Sequence, residues 1–171
     1  MSAEIPKLVG YWRSRKELTK PYNPASMLKT VGGKVQVDKD FWRDDSYDRY
    51  PWPGDFVGEW DLDERALVVK YLKVGYPCNH YRGMSGCRLC AQMLGSSERT
   101  DGTWLWPDQL DHYVEEHSVL LPPAMLADLW ARSFHYQTKE EVARRLGQKP
   151  EGHWHMGHDE TFWLEWKGGL Q

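Results

Sequence analysis

Two cysteines separated by two residues, in "GCRLCAQML" at 86–94, constrain this chain more than any other feature. After Cys90 come 21 residues, then His112, then four residues and His117, so the whole reads C-x2-C-x21-H-x4-H. A Cys-x2-Cys turn sets two thiolates within reach of one ion, and two histidines at a helix end can close the tetrahedron that Zn²⁺ prefers. Any fold with this pattern must bring residues 87–90 against residues 112–117. On a straight α-helix a five-residue step turns about 500°, which leaves the two imidazoles about 140° apart. They converge only if the last turn tightens or unwinds before His117, and Ser118, Val119 and Pro122-Pro123 allow the helix to end there. The expectation is one Zn²⁺ at a helix terminus, held by Cys87, Cys90, His112 and His117. Cys78, with His80, offers a competing Cys3His set, although a lone cysteine is more simply a small buried apolar residue. A redox reading needs a thioredoxin-like βαβ pattern upstream of the pair, and nothing there supplies it.

The rest of the composition narrows the class. Three cysteines, an odd number, fit poorly with a disulfide framework. "MSAEIPKLVG" has neither the basic nor the apolar region of a secretion signal, so the expectation is a cytoplasmic protein whose thiols stay reduced. No apolar run approaches the roughly 20 residues that span a bilayer, and no membrane partner is expected. A net charge of −3 gives no pull toward phosphate backbones, and no nucleic-acid partner is expected either. Ten Trp and nine Tyr stand against four Phe, so much of the large apolar surface carries a polar handle. Their scatter along the chain suits a core of amphipathic rings rather than one aromatic cleft.

One α+β domain is expected over 1–171: an extended aromatic arm over 1–60, a zinc-centred core over 61–135, and a helix with a His-rich tail over 136–171. The arm, with "GYWRSRKELTKPYNP" and "RYPWPGDFVGEWD", reads as chain anchored over a core by Trp12, Trp42, Trp52 and Trp60. Within it, "GKVQVD" alternates after Gly32-Gly33 and predicts a short strand. Three or four helices follow. "DLDERALVVKYLKVG" is capped by Asp61 with Glu64, ended by Gly75, and buries Leu67, Val68, Tyr71 and Leu72. "TDGTWLW" predicts a turn at Asp101-Gly102 running into a strand, after which Pro107 opens "PDQLDHYVEEH" as a helix. "PPAMLADLWARSF" should pack through Met125, Leu126, Leu129 and Trp130. "TKEEVARRLG" carries a Thr138/Glu141 capping box and ends at Gly147. In the tail, "TFWLEW" predicts a last strand.

The stretches "YLKVGYPCNHYRGMSGCRLC" and "GSSERTDGTWLWPDQLDHYVEEHSVLLP" together resemble a group of small uncharacterised bacterial proteins. These share YRG-x-S-x-CR-x-C, a TDG turn, and WP-x2-L-x-HYV-x2-H-x-V-x-LP. The likeness covers mainly residues 55–125, with 24–50 and 135–171 outside it. It implies metal positions at Cys87, Cys90, His112 and His117, leaves Cys78 peculiar to this chain, and implies no reaction.

Two further segments invite a functional reading. "HWHMGHDE" holds His153, His155 and His158, a possible second, weaker metal site of Zn²⁺ or Ni²⁺ type with Glu160 as a general base. The simpler alternative is an exposed Gly-rich loop, since no H-E-x2-H spacing accompanies it. "TKEEVARRLG" resembles the first helix of a helix-turn-helix, yet "QKPEGHWHMGH" after it cannot form a recognition helix, and Arg144 and Arg145 read as a solvated face. No phosphate-binding, dinucleotide-binding or nucleophile-elbow motif is present. The functional expectation is a non-enzymatic zinc-binding module, an adaptor or immunity-type inhibitor, whose partner is another protein. The alternative is a metal-dependent hydrolase or nuclease using His153, His155 and His158.

Overall fold

The computed structural model describes residues 3–12, 28–31, 34–37, 50–90 and 92–166. The fold is α+β, with small sheets and, among the described residues, five α-helices. Its centre is a four-stranded sheet in the order β1 (Lys7–Leu8), β8 (Trp104–Pro107), β7 (Glu98–Thr100), β4 (Tyr76–Cys78). β1 runs parallel to β8, while β8–β7 and β7–β4 are antiparallel. Two hairpins stand apart: β2 (Leu28–Val31) with β3 (Lys34–Val37), and β5 (Ser85–Gly86) with β6 (Met93–Gly95). β3 is the strand that "GKVQVD" predicts.

The helix α1 (Leu62–Val74) starts where expected, the Asp61 carboxylate accepting from the Glu64 amide at 2.9 Å. Its buried face is Val68, Val69, Tyr71 and Leu72; Leu67 is exposed, so the expected stripe is turned by one position. Gly75 ends the helix for a different reason from the one expected. Its φ of −48° needs no glycine, but a Cβ there would run into the Trp106 ring. That ring lies flush against the helix end, where its indole N–H donates to the Leu72 carbonyl at 3.2 Å. The arrangement satisfies one of the carbonyls that every helix C-terminus leaves open.

Between β7 and β8, Asp101-Gly102-Thr103 makes the predicted turn, and Asp101 binds more than the turn. Fully buried, its carboxylate accepts from the Thr103 and Trp104 amides at 2.8 and 2.7 Å, from the Tyr71 hydroxyl at 2.7 Å and from Arg132 at 2.9 Å. One side chain thus joins the hairpin to α1 and to the end of α3 (Pro123–Ala131). Gly102 takes φ +91°, a conformation other residues rarely adopt.

Other expectations are corrected. Pro107 closes β8 opposite Glu98 instead of opening a helix; α2 begins only at Leu110 and ends at His117. α3 buries Met125 and Leu129, whereas Trp130 is exposed with its indole donating to Glu64. α4 (Lys139–Arg145) has both hydrogen bonds of the Thr138/Glu141 capping box, and Gly147 follows at φ +66°. No helix follows α4 before residue 161, so no recognition helix forms. Arg145 is not a free surface charge, since it pairs with Glu4 at 2.6 Å.

"TFWLEW" is the helix α5 (Thr161–Trp166), not a strand. Asp159 accepts from the Thr161 amide at 2.9 Å, and Trp163 and Trp166, three apart, stack at 4.9 Å, which helical spacing permits and strand alternation does not. Buried Trp163 meets Trp12 edge-on and donates to the Tyr11 carbonyl. Residues of the arm at 8–12 and 50–56 are therefore built into the core: Leu8, Val9, Trp12, Tyr50, Trp52 and Phe56 are all buried. Trp60 is half-buried, and Trp42 lies outside the described residues. The indole N–H groups of Trp104, Trp106, Trp154 and Trp163 each reach an oxygen, whereas those of Trp12 and Trp60 are buried without one.

The His-rich tail is held to the end of β4 by Asn79. Its amide N–H donates to the Trp154 carbonyl, and its side chain pairs with both polar groups of Met156 at 2.8 and 3.0 Å. The same side chain donates to Glu98 at 2.7 Å, whose other oxygen accepts from Tyr81 at 2.8 Å. Burial of Glu98 pushes its carboxyl up to about 7.

Two predictions follow from these buried carboxylates. Asp101→Ala leaves Arg132 and Tyr71 facing a lost acceptor and should cost about 3 kcal/mol or more in denaturant unfolding; Asp101→Asn, which keeps an oxygen for the turn amides, should cost less. Glu98 holds its proton in the folded chain where the unfolded chain has lost it. Its contribution is therefore full below about 4.5 and fades as pH rises to about 7. Between pH 5.5 and 8, wild type should lose about 2 kcal/mol relative to Glu98→Gln. Unfolding curves for the two proteins that run parallel across that range would remove Glu98 as a titrating group.

Candidate metal centre

The ligand-type atoms of Cys87, Cys90, His112 and His117 all lie within 4.8 Å of one another. Sequence spacing alone selects these four, and the structure brings them together. The cysteines sit in the loop of the β5–β6 hairpin, where the Cys87 amide donates to the Gln92 carbonyl at 2.8 Å and curls the chain back on itself. The histidines are the third and the last residues of α2.

The helical objection to His-x4-His is met at the C-terminus. Ser118 adopts a left-handed conformation at φ 52°, and its amide bonds the Tyr113 carbonyl five residues back instead of four. The Val119 amide reaches the same carbonyl at 3.0 Å. This widened last turn swings His117 round toward His112. Their Nε2 atoms end 3.2 Å apart.

Two further separations have the size of a coordination shell. Cys87 Sγ lies 3.4 Å from His117 Nε2, and Cys90 Sγ lies 3.4 Å from His112 Nε2. With metal–nitrogen bonds of about 2.0–2.1 Å and metal–sulfur bonds of about 2.3 Å, the edges of a tetrahedron come to about 3.3 Å for N···N and about 3.6 Å for S···N. The four side chains therefore outline a tetrahedral cage that could hold a metal ion. Cys87 is buried, Cys90 exposed and both histidines half-buried, which places the cage at the surface end of the hairpin.

Electrostatics favour a cation at the centre. Burial is the largest influence on the Cys87 thiol and pushes it up, while the Cys90 and Leu89 amides pull it part of the way back. Burial and the neighbouring charge of His112 hold the His117 imidazole below its usual range, so it is neutral and able to ligate. A bound cation supplies the charge that favours the thiolate.

Tyr113 positions the loop and escapes sequence reasoning. Its hydroxyl accepts from the Arg88 amide at 2.7 Å, pinning the Cys-x2-Cys turn to α2, and its ring is buried against Trp12. Only its place beside His112 could have pointed to it. Cys78 stands apart from the cage, fully buried opposite Glu98 in the sheet, and burial pushes its thiol up to about 12. It is the apolar filler that its sequence context suggests.

The tail histidines divide. His153 lies beside His155, with ring centroids 4.7 Å apart, but His158 stacks instead on Tyr11 at 6.4 Å. The ring that joins His153 is His80, at 4.3 Å. The set His153, His155 and His158 is thus not assembled, because Met156 is tied to Asn79 and the chain beyond it turns away toward β1, where Asp159 bridges Lys7.

A cleft of about 370 Å³ opens next to the hairpin, lined by Gly86, Arg88 and Tyr113 at one end and Tyr81 and Glu98 at the other. Among the described residues that line it, none is a member of the cage. Among the described residues no helix is long and apolar enough to cross a membrane. No family model, curated protein or solved structure matches this chain.

Titration of the metal-free chain with Co²⁺ should give the visible absorption of a tetrahedral site with sulfur ligands, saturating at one ion per chain. Cys87→Ser and His112→Ala should lose it, and Cys78→Ser should keep it. Loss on Cys78→Ser with retention on His112→Ala would show a different ligand set.

Proposed function

We propose that the cage binds one Zn²⁺ as a structural ion, and that the chain is a non-enzymatic module that acts by binding another protein in the cytoplasm, as an adaptor or immunity-type inhibitor. The observation that carries this reading is the cage itself: four protein donors gathered within 4.8 Å of one another. A catalytic zinc usually has three protein ligands and keeps a position for water. Four protein ligands use up the shell, so no zinc-activated hydroxide forms there. That none of the four cage residues lines the neighbouring cleft supports the same view, because an ion that acted on a bound substrate would have to face it.

The chemistry of the ligands supports zinc in particular. Two thiolates with two imidazoles in a tetrahedron suit Zn²⁺ better than Mg²⁺ or Ca²⁺, which take oxygen ligands. A structural zinc contributes about 10–16 kcal/mol of apparent binding energy, against about 5–15 kcal/mol for the net stability of a typical domain. On that scale the hairpin and α2 depend on the ion to stay together.

Support for a protein partner comes from the surface along α1. Leu62 and Val74 are well exposed and line a groove with Ala66 and Val69, flanked by Arg65, Lys70 and Lys73. An exposed apolar strip rimmed by charge is the anatomy of a protein contact. The reading of the tail as a hydrolytic site has less behind it, since His158 is not with His153 and His155.

The purified chain should contain one zinc by mass spectrometry, unfold when the ion is chelated, and leave ester and phosphodiester substrates intact. Affinity capture from native lysate should retain a protein that Leu62→Glu fails to retain, with a measurable dissociation constant once that protein is purified. Hydrolysis that disappears in His112→Ala while the fold survives would overturn the non-enzymatic reading.

A further inference from the structure

The tail brings three imidazoles together where the sequence suggests a different three. His153 lies between His80, at 4.3 Å between ring centroids, and His155, at 4.7 Å. All three are exposed, and they come from two segments. His80 follows Asn79 at the end of β4; His153 and His155 flank buried Trp154, which bridges Cys78. With Trp154 turned into the core, its two neighbours in this extended stretch are turned out together. The left-handed Asn79, at φ 40°, redirects the chain so that His80 follows on the same side.

We propose that His80, His153 and His155 form a second metal site, which takes a borderline divalent cation such as Zn²⁺, Ni²⁺ or Cu²⁺ and clasps the tail to the end of β4. The ligand type selects the cation class, since neutral imidazole suits these ions and not Mg²⁺ or Ca²⁺. The three rings do not yet present their nitrogens to one point as the cage residues do. Exposed side chains reorient on a ps–ns timescale, so an ion can gather them by rotation about their side-chain bonds. The site is therefore weaker and exchangeable, in contrast to the cage.

The consequence is mechanical. The described attachment of residues 154–156 to β4 and Asn79 includes the Trp154 bridge, the Asn79 hydrogen bonds and the Trp154 ring packed on Tyr76 at 5.7 Å. An ion held by His80 on one side and by His153 and His155 on the other spans the same junction. Binding it stabilises the docked tail by mass action.

The test uses the full chain with zinc already in the Cys87/Cys90/His112/His117 cage. Titration with Ni²⁺, followed calorimetrically, should show one further ion per chain. His80→Ala and His153→Ala should each weaken it at least about tenfold, or about 1.4 kcal/mol. His158→Ala should leave it unchanged. Hydrogen exchange at the Met156 amide, which donates to Asn79, should slow when the ion is added. Absence of a second ion would overturn the site, as would weakening by His158→Ala but not His80→Ala. Binding indifferent to all three substitutions would mean an adventitious ion only, and binding without slower exchange at Met156 would overturn the clasp.

Discussion

The β7–β8 hairpin decides whether the metal cage can exist, and the buried Asp101 carboxylate at its tip decides the hairpin. Cys87 and Cys90 precede β7; His112 and His117 follow β8. The chain runs out along one strand, turns at Asp101 and returns along the other, so the ends of the hairpin meet where it began. The last registered pair is Glu98 with Pro107, and the Asp108 amide extends the pairing to the Ser97 carbonyl at 2.9 Å. Beyond that point the β5–β6 hairpin lies on one side and α2 on the other. The 21 residues between Cys90 and His112, long for a small zinc finger, are the length of this excursion. A slip of one residue in β7–β8 would turn every side chain of a strand to the opposite face. It would also pull the Asp101 oxygens from Tyr71 and Arg132, which belong to the helix α1 and the end of α3. The turn and two helices therefore enforce one register.

Local rules were the most legible part of the chain. The Thr138/Glu141 capping box, the Asp61 cap and the Asp101-Gly102 turn each depend on residues within four positions of one another, and each forms as read. The cage was legible for a different reason. Its ligand chemistry is so restrictive that spacing selects Cys87, Cys90, His112 and His117 without knowledge of the path between them. The turn that makes His-x4-His workable was only half visible: the sequence indicates that α2 ends near Ser118, but not that Ser118 goes left-handed and widens the last turn.

Readings that failed did so where distant packing outweighed local preference. "TFWLEW" has a strand-like composition, yet Trp163 and Trp166 stack on one side of a helix and Trp163 packs against Trp12, 151 positions earlier. Pro107 is well suited to a first helical turn, but it is taken up by pairing with β7. Gly75 reads as a conformational stop and is instead a space for the Trp106 ring. The arm over 1–60 looks peripheral because it is irregular; its described residues enter the core because Leu8 joins the sheet and Trp12 meets Trp163. His80 was considered only as a companion of Cys78, since nothing in its neighbourhood shows that Asn79 brings residues 153–155 beside it.

The cage and the histidine cluster also differ in what they ask of an ion. In the cage, two thiols on one short loop face two imidazoles on one helix, with Tyr113 pinning the Arg88 amide between them. The Tyr113–Arg88 hydrogen bond joins the two segments without using a donor atom, and the four donor atoms lie within 4.8 Å of one another. At the tail, the donors are free imidazoles on exposed chain, and an ion must order them itself. The donor atoms of the cage gather within 4.8 Å of one another, and those of the tail cluster do not form such a group.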